Sequence, residues 1–202
     1  KQEPFPGWFK RIDETRLEFT HYYSLEECEQ TIDMFATRFP ELVTVEDIGR
    51  SLQGRPLRAI TLCNARTGAA SSKPGMYIDS NIHGNETQGT EIIFLTIWYL
   101  LKNYPQERYV QRLVDSRTFY FLPVVNVDSR HHWFKQANTP HSLRHNWKPF
   151  DDDRDGKADE DPPNDLDGDG RITMMRKRDP NGEWVLAQDK RVMVPRKPDQ
   201  PG

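Results

Sequence analysis

The sequence is poor in cysteine, with only Cys28 and Cys63 among 202 residues. So few cysteines exclude a disulfide framework, and nothing spaced C-x-x-C is present to build a cysteine zinc cluster. The two read as buried thiols rather than as a bridge. Long hydrophobic runs are absent too. The longest, IIFLTIWYLL at 92–101, has the length of a buried helix and falls short of the ~20 apolar residues of a membrane span. No secretory leader follows Lys1, so the chain reads as cytosolic or as already processed. Neither a membrane nor a nucleic-acid partner is expected. The length suits one domain with a real core and is too short for two comfortable ones.

Net charge is only −3, but its distribution is uneven. Between Asp151 and Asp169 ten acids face two bases, Arg154 and Lys157, a local charge of −8 that leaves the remainder of the chain at +5. A folded segment with that charge needs water, cations or a basic partner.

The stretch SLEECEQTIDMFATRFP predicts a helix over residues 25–38. Ser24 stands at its N-cap with Glu27 in the capping-box position, acids fill the first turn, and Pro40 stops it. Leu25, Cys28, Ile32, Phe35 and Phe39 recur at three and four, giving one core-facing stripe. LVTVEDIG and GRPLRAITLC alternate as strands around GRSLQGR, whose two glycines mark a hairpin turn. A third strand is expected over 75–82, a helix over 88–103 and a fourth strand over 117–127. Strand, helix, strand is a crossover, and it implies a parallel pair. The fold class expected is α/β: a mixed, mostly parallel sheet with flanking helices. After Asn138 the apolar periodicity disappears and prolines and acids dominate.

Within NIHGNETQGTE, His83 and Glu86 lie between the third strand and the long helix. The carboxyl edge of an open α/β sheet is where ligand sites collect. Gly84 and Gly89 permit close backbone approach there, and Thr87 is positioned to cap the helix. A histidine and a glutamate at that edge can face one ion, and zinc accepts the pair. The competing interpretation is a capped turn whose histidine bonds only the backbone.

Three longer stretches bear on this choice. HYYSLEECEQTIDMFATRFPELVTVEDIGRSLQGRPLRAITL, YIDSNIHGNETQGTE and FLPVVNVDS together resemble the zinc metallocarboxypeptidase family, in its bacterial branch. The family's G-x-S-x-x-G-R-P turn is matched by Gly49, Ser51, Gly54, Arg55 and Pro56. Its H-x-x-E is matched by His83 and Glu86, and its N-P-D-G turn by Asn126, Val127, Asp128 and Ser129, with two positions changed. The resemblance runs from residue 20 to about 148. It implies zinc, a peptide substrate with a free C-terminus, a general-base glutamate and arginines that bind the terminal carboxylate. The substrate contacts it suggests are Arg144 and His145, in RHNW where the family carries an N-R-N-W-like clamp, together with Arg130 near the oxyanion. The third zinc-binding histidine and the base glutamate find no match in this sequence, and the resemblance leads us to expect the base glutamate beyond Gly202. Of the later histidines, His131, His132, His141 and His145 are read as surface or supporting groups. On this resemblance the chain is the N-terminal part of a longer enzyme or of an inactive relative. By itself it should bind zinc weakly and cleave nothing.

The acidic stretch carries D-x-D-x-D-G twice, as Asp151, Asp153, Asp155, Gly156 and as Asp165, Asp167, Asp169, Gly170. Acids at positions 1, 3 and 5 with glycine at 6 form the first half of a calcium loop. Position 12 is Pro162 or Arg176, so neither copy is an EF-hand. Asp159 or Asp161 could add a ligand to the first. Calcium here favours a secreted or periplasmic protein. The expected organisation is a carboxypeptidase-like N-terminal part over 1–148, an acidic calcium-loop-like insertion over 149–176, and a proline-rich extension over 177–202. Two other functions compete: a catalytically inactive, calcium-stabilised binding module, and an aspartoacylase-type zinc deacylase. The long match before His83 argues against the deacylase.

Overall fold

The computed structural model describes residues 17–136, 146–151, 154–159, 165, 168–171, 178–189 and 192–197. Chain order begins with α1 (Leu25–Arg38), β1 (Val43–Arg50) and β2 (Pro56–Leu62). It continues through β3 (Gly75–Asp79), α2 (Gln88–Asn103), α3 (Arg108–Ser116), β4 (Thr118–Leu122) and α4 (Val127–Lys135). A small separate hairpin pairs β5 (Trp184–Leu186) with β6 (Met193–Pro195).

Local chemistry sets the first helix as expected. The Ser24 side chain accepts from the Glu27 N–H, and the Glu27 carboxylate accepts from the Ser24 N–H at 2.7 Å. That reciprocal capping box satisfies two donors that helix geometry would leave unpaired. Leu25, Cys28, Ile32 and Phe35 turn to the core, where they meet Phe94, Ile97 and Trp98 of α2 and Ile60, Leu62 and Phe121 of the sheet.

The four-stranded sheet has the order β1-β2-β4-β3. The expected hairpin is present, with β1 antiparallel to β2, and the crossover does place β3 parallel to β4. The expectation of a mostly parallel sheet is corrected: β2 pairs with β4 antiparallel, so two of the three pairings are antiparallel. The sheet is mixed α/β, and its parallel pair lies at the edge that carries the candidate site. Both strands of that pair are shorter than expected. Pro123, which has no N–H to donate, follows the last residue of β4.

Two helices are absent from the expectations. α3 shows only Val110 and Val114 to the core, too sparse a stripe to stand out in sequence. α4 begins where the changed N-P-D-G turn was placed. Asn126 is its N-cap and accepts from the Ser129 N–H at 3.2 Å, and three of its four buried residues, Asp128, Ser129 and Arg130, are polar. A helix whose inner face is polar carries no hydrophobic period. Thr87 stands at the N-cap of α2, but its side chain makes no capping hydrogen bond, which corrects the expectation for it. Cys28 and Cys63 are both free and buried.

Candidate metal centre

The β3 and β4 chains run on past their ladder as a pair of loops. Val125 N–H donates to Ser80 O at 3.0 Å, and Asn126 N–H to Asn81 O at 3.1 Å. Asn81 then adopts the left-handed conformation, φ 56°, which reverses the chain into the turn holding His83 and Glu86. Asparagine tolerates that region better than most residues. The turn closes through Glu86 N–H to His83 O at 3.1 Å, and His83 Nδ1 lies 2.8 Å from Glu86 Oε2. His83 is three-quarters buried and Glu86 about half exposed, so the pair sits where solvent and a ligand can reach it.

The two glycines do what the spacing suggested. A Cβ on Gly84 would stand 2.6 Å from the Ser129 carbonyl carbon and 2.7 Å from its oxygen, so the turn lies directly on the first turn of α4. A Cβ on Gly89 would meet the Ser80 Cβ at 2.7 Å.

The two sequence motifs on either side meet through Asp128. This buried carboxylate accepts from Ser51 Oγ at 2.8 Å, from Gln53 N–H at 3.2 Å and from Arg55 Nη1 at 2.7 Å. It thereby holds the β1–β2 turn against α4, a role invisible when the two stretches are read separately. Beside it, His132 Nε2 lies 3.0 Å from the Gln53 amide nitrogen. The His132 ring stacks on Trp147 with centroids 3.8 Å apart, and the Trp147 indole N–H donates to Ser129 Oγ at 3.0 Å. Burial holds the His132 pKa below its usual value. His131 lies 3.6 Å from Glu26.

Arg130, suggested as a substrate contact, does not reach the surface of the described residues. It is fully buried, and its Nη2 ion-pairs with Glu91 Oε1 at 2.9 Å. The reason is its place on the inner face of α4, pointing to the N-terminus of α2. Arg144, His145 and His141 lie outside the described residues, as do Asp153, Asp161 and Asp167. Gly202, beyond which the general-base glutamate is expected, lies outside them too, and among the described residues no glutamate other than Glu86 stands at the His83 turn.

Within the acidic stretch, Asp151 accepts from the N–H groups of Arg154, Asp155 and Gly156 at 2.6, 3.2 and 2.9 Å. Asp165 accepts from Gly168 and Gly170, each at 3.0 Å. Asp155 pairs with Lys157 at 3.0 Å, Asp159 accepts from the Phe150 N–H at 3.1 Å, and Asp169 from the Arg171 N–H at 2.8 Å. Among the described residues, no group of three or more His, Cys, Asp or Glu side chains is placed to hold a metal ion.

A mixed α/β sheet thus brings a histidine and a glutamate together at the end of its parallel pair, the edge where ligand sites collect in such sheets. Residues 28–164 match the family model described as Zinc carboxypeptidase, Peptidase_M14, and the chain belongs to that family. Its sequence is similar to Carboxypeptidase D of Drosophila melanogaster, 33% identical over 123 residues, covering 60% of this chain and 9% of that protein. It is 27% identical over 110 residues to a Saccharomyces cerevisiae protein named Inactive metallocarboxypeptidase ECM14, covering 54% of this chain and 26% of the relative. Among solved structures, thrombin activatable fibrinolysis inhibitor is similar with a TM-score of 0.53 and 29% identity, over 57% of this chain and 28% of that one. The chain therefore spans less than a third of the length of each of these proteins.

The imidazole nitrogen and carboxylate oxygen fit zinc by donor type, and their 2.8 Å approach lets both turn to one ion. They are two donor groups of types that zinc accepts. The described residues supply no third ligand beside them.

Proposed function

We propose that the chain is part of a zinc-dependent metallocarboxypeptidase-type hydrolase that removes C-terminal residues from peptides. The single observation that carries this is the His83–Glu86 convergence at the sheet edge, in a chain of the zinc carboxypeptidase family. His83 and Glu86 would hold the ion. Bound zinc would supply Lewis-acid polarisation of the scissile carbonyl and a more acidic water. Gly84 keeps the ligand turn seated on α4, while Asp128, Arg55 and Ser51 keep the neighbouring hairpin turn in place. Arg144 and His145 are proposed to contact the substrate carboxylate. With two candidate ligands among the described residues, the 202-residue chain alone is proposed to be inactive and to bind zinc weakly.

Calcium is proposed for the acidic stretch through Asp151, Asp153, Asp155, Asp159, Asp165, Asp167 and Asp169. Support comes from the repeated spacing and from the shared turn, in which the first aspartate accepts from the sixth residue's N–H in both copies. A secreted or periplasmic location follows from that proposal. Among the described residues no helix is long and apolar enough to cross a membrane.

The test is metal analysis with a peptide-release assay on the whole gene product. One zinc per chain, lost in His83→Ala together with release of C-terminal residues, supports the hydrolase. No zinc and no release would support the second reading, an inactive calcium-stabilised binding module, which the similarity to a relative named inactive favours. A calcium chelator should lower the melting temperature, and an unchanged value would remove the calcium proposal.

A further inference from the structure

The turn that carries His83 and Glu86 is held from beneath by a side chain that stands two residues before the H-x-x-E. Asn81 is buried, and its Nδ2 donates to three turn carbonyls: His83 O at 2.8 Å, Glu86 O at 3.2 Å and Gly84 O at 3.4 Å. A primary amide has two hydrogens, so the Gly84 contact is a shared and weaker one. The other end of the amide faces Arg130, whose Nη1 donates to Asn81 Oδ1 at 3.1 Å.

Arg130 leaves that amide one way to point. A guanidinium has donors and no acceptor, so only the oxygen of Asn81 can face it. The remaining donors of Arg130 are engaged as well. Nε donates to Tyr23 O at 3.0 Å, Nη1 also to Thr90 Oγ1 at 2.9 Å and to Thr87 O at 3.4 Å, and Nη2 to Tyr23 O and Glu91 Oε1. Its position is thus fixed by α2, by the chain before α1 and by α4 itself. The buried cation orients the amide, and the amide gathers the turn.

We propose that Asn81 and Arg130 are positioning residues for the His83–Glu86 pair: Arg130 sets the direction of the Asn81 amide, and that amide curls the turn so that the two ligand atoms converge. The proposal rests on the zinc reading above, although the geometry it explains exists without the ion. Both residues are buried beneath the turn. Both act through the conformation of residues 82–86. Supporting groups of this kind change metal affinity by about 10–100-fold when removed.

Two substitutions in the 202-residue chain separate positioning from mere folding. Asn81→Gly keeps the left-handed backbone accessible and deletes the amide. Asn81→Asp keeps an acceptor for Arg130, now charged, but sets a carboxylate oxygen against three carbonyl oxygens. Nuclear magnetic resonance of the metal-free proteins reads the His83–Glu86 contact, and zinc chloride titration at the His83 imidazole reads affinity. Both variants are expected to lose the contact and to bind zinc about 10–100-fold more weakly. Asn81→Asp should still fold, because the new carboxylate gains an ion pair with Arg130 that offsets part of the lost donor contacts. A turn and a zinc affinity unchanged in Asn81→Asp would overturn the proposal, even if Asn81→Gly failed to fold. Should the parent show no His83-dependent zinc binding, the zinc reading fails, and the metal-free spectra still decide whether Asn81 shapes the turn.

Discussion

Replacing Arg130 by methionine should cost as much stability as truncating a large core side chain. The side chain is fully buried, and all its donors meet acceptors on α2, on Asn81 and at Tyr23. Methionine fills much of the same space, so little cavity energy enters. What remains is Glu91, a carboxylate only 7% exposed, whose Oε2 already lacks a partner among the described residues. Removing one member of a buried ion pair costs about 3–5 kcal/mol, mostly because the other charge is stranded. For a chain of this size each kcal/mol lowers the melting temperature by about 2–4 °C, so a fall of about 6–20 °C is expected. Urea unfolding of the parent, Arg130→Met, Glu91→Leu and the double variant would measure it. The double variant should be less damaged than the two singles added together, by about 2–3 kcal/mol, since no charge is then left unpaired. A loss below about 1 kcal/mol in Arg130→Met, or strict additivity in the cycle, would refute the reasoning.

Gly84→Ala should destabilise by about 3 kcal/mol or more, because its Cβ would press on Ser129 backbone atoms that α4 holds in place. An unchanged melting temperature would mean that the turn can lift off α4. Glu27 has its pKa held below the ordinary value, first by the Ser24 N–H that it accepts, so its ionised form stabilises the fold. That contribution is present above the unfolded-state pKa and is lost as pH falls through the lowered folded value. Glu27→Gln should therefore flatten the acid side of a melting-temperature profile between about pH 5 and pH 3, and an identical slope would count against the capping box. Burial pushes the Cys28 thiol up to about 12, so alkylation at mildly alkaline pH should reach it only on unfolding. Rapid labelling of Cys28 in the native protein would contradict the packing of α1.

Elements whose signals are local were legible from the residues. α1 shows its cap and stripe within seventeen consecutive letters, α2 its long apolar run, and the β1–β2 hairpin its alternation around two glycines. Failures came where distant residues decide. The family resemblance suggested Arg130 as a contact near the oxyanion, and the structure buries it. Its acceptors, Tyr23 and Asn81, lie 107 and 49 residues away, and no spacing rule joins them. The sheet's parallel character was overestimated because one βαβ unit was visible, while the β2–β4 pairing leaves no trace in the intervening sequence. His83 and Glu86 were readable because their spacing, glycines and flanking elements coincide. Asn81 was not, although an asparagine just past a strand is a fair sign of a left-handed residue.

The Asp128 contacts also bear on the order of assembly. A β-hairpin forms in about 1–10 μs and involves only neighbouring residues. Yet the anion that locks the β1–β2 turn arrives 73 to 77 residues later along the chain. At about 5–20 residues per second of synthesis, Ser51, Gln53 and Arg55 wait roughly 4–15 s for it. During that interval the Arg55 charge has no buried counter-ion, so the hairpin is an early element with a late clasp. Asp128→Asn should then leave early hairpin formation untouched and speed only the opening of the finished fold, because contacts made after the transition state act on unfolding alone.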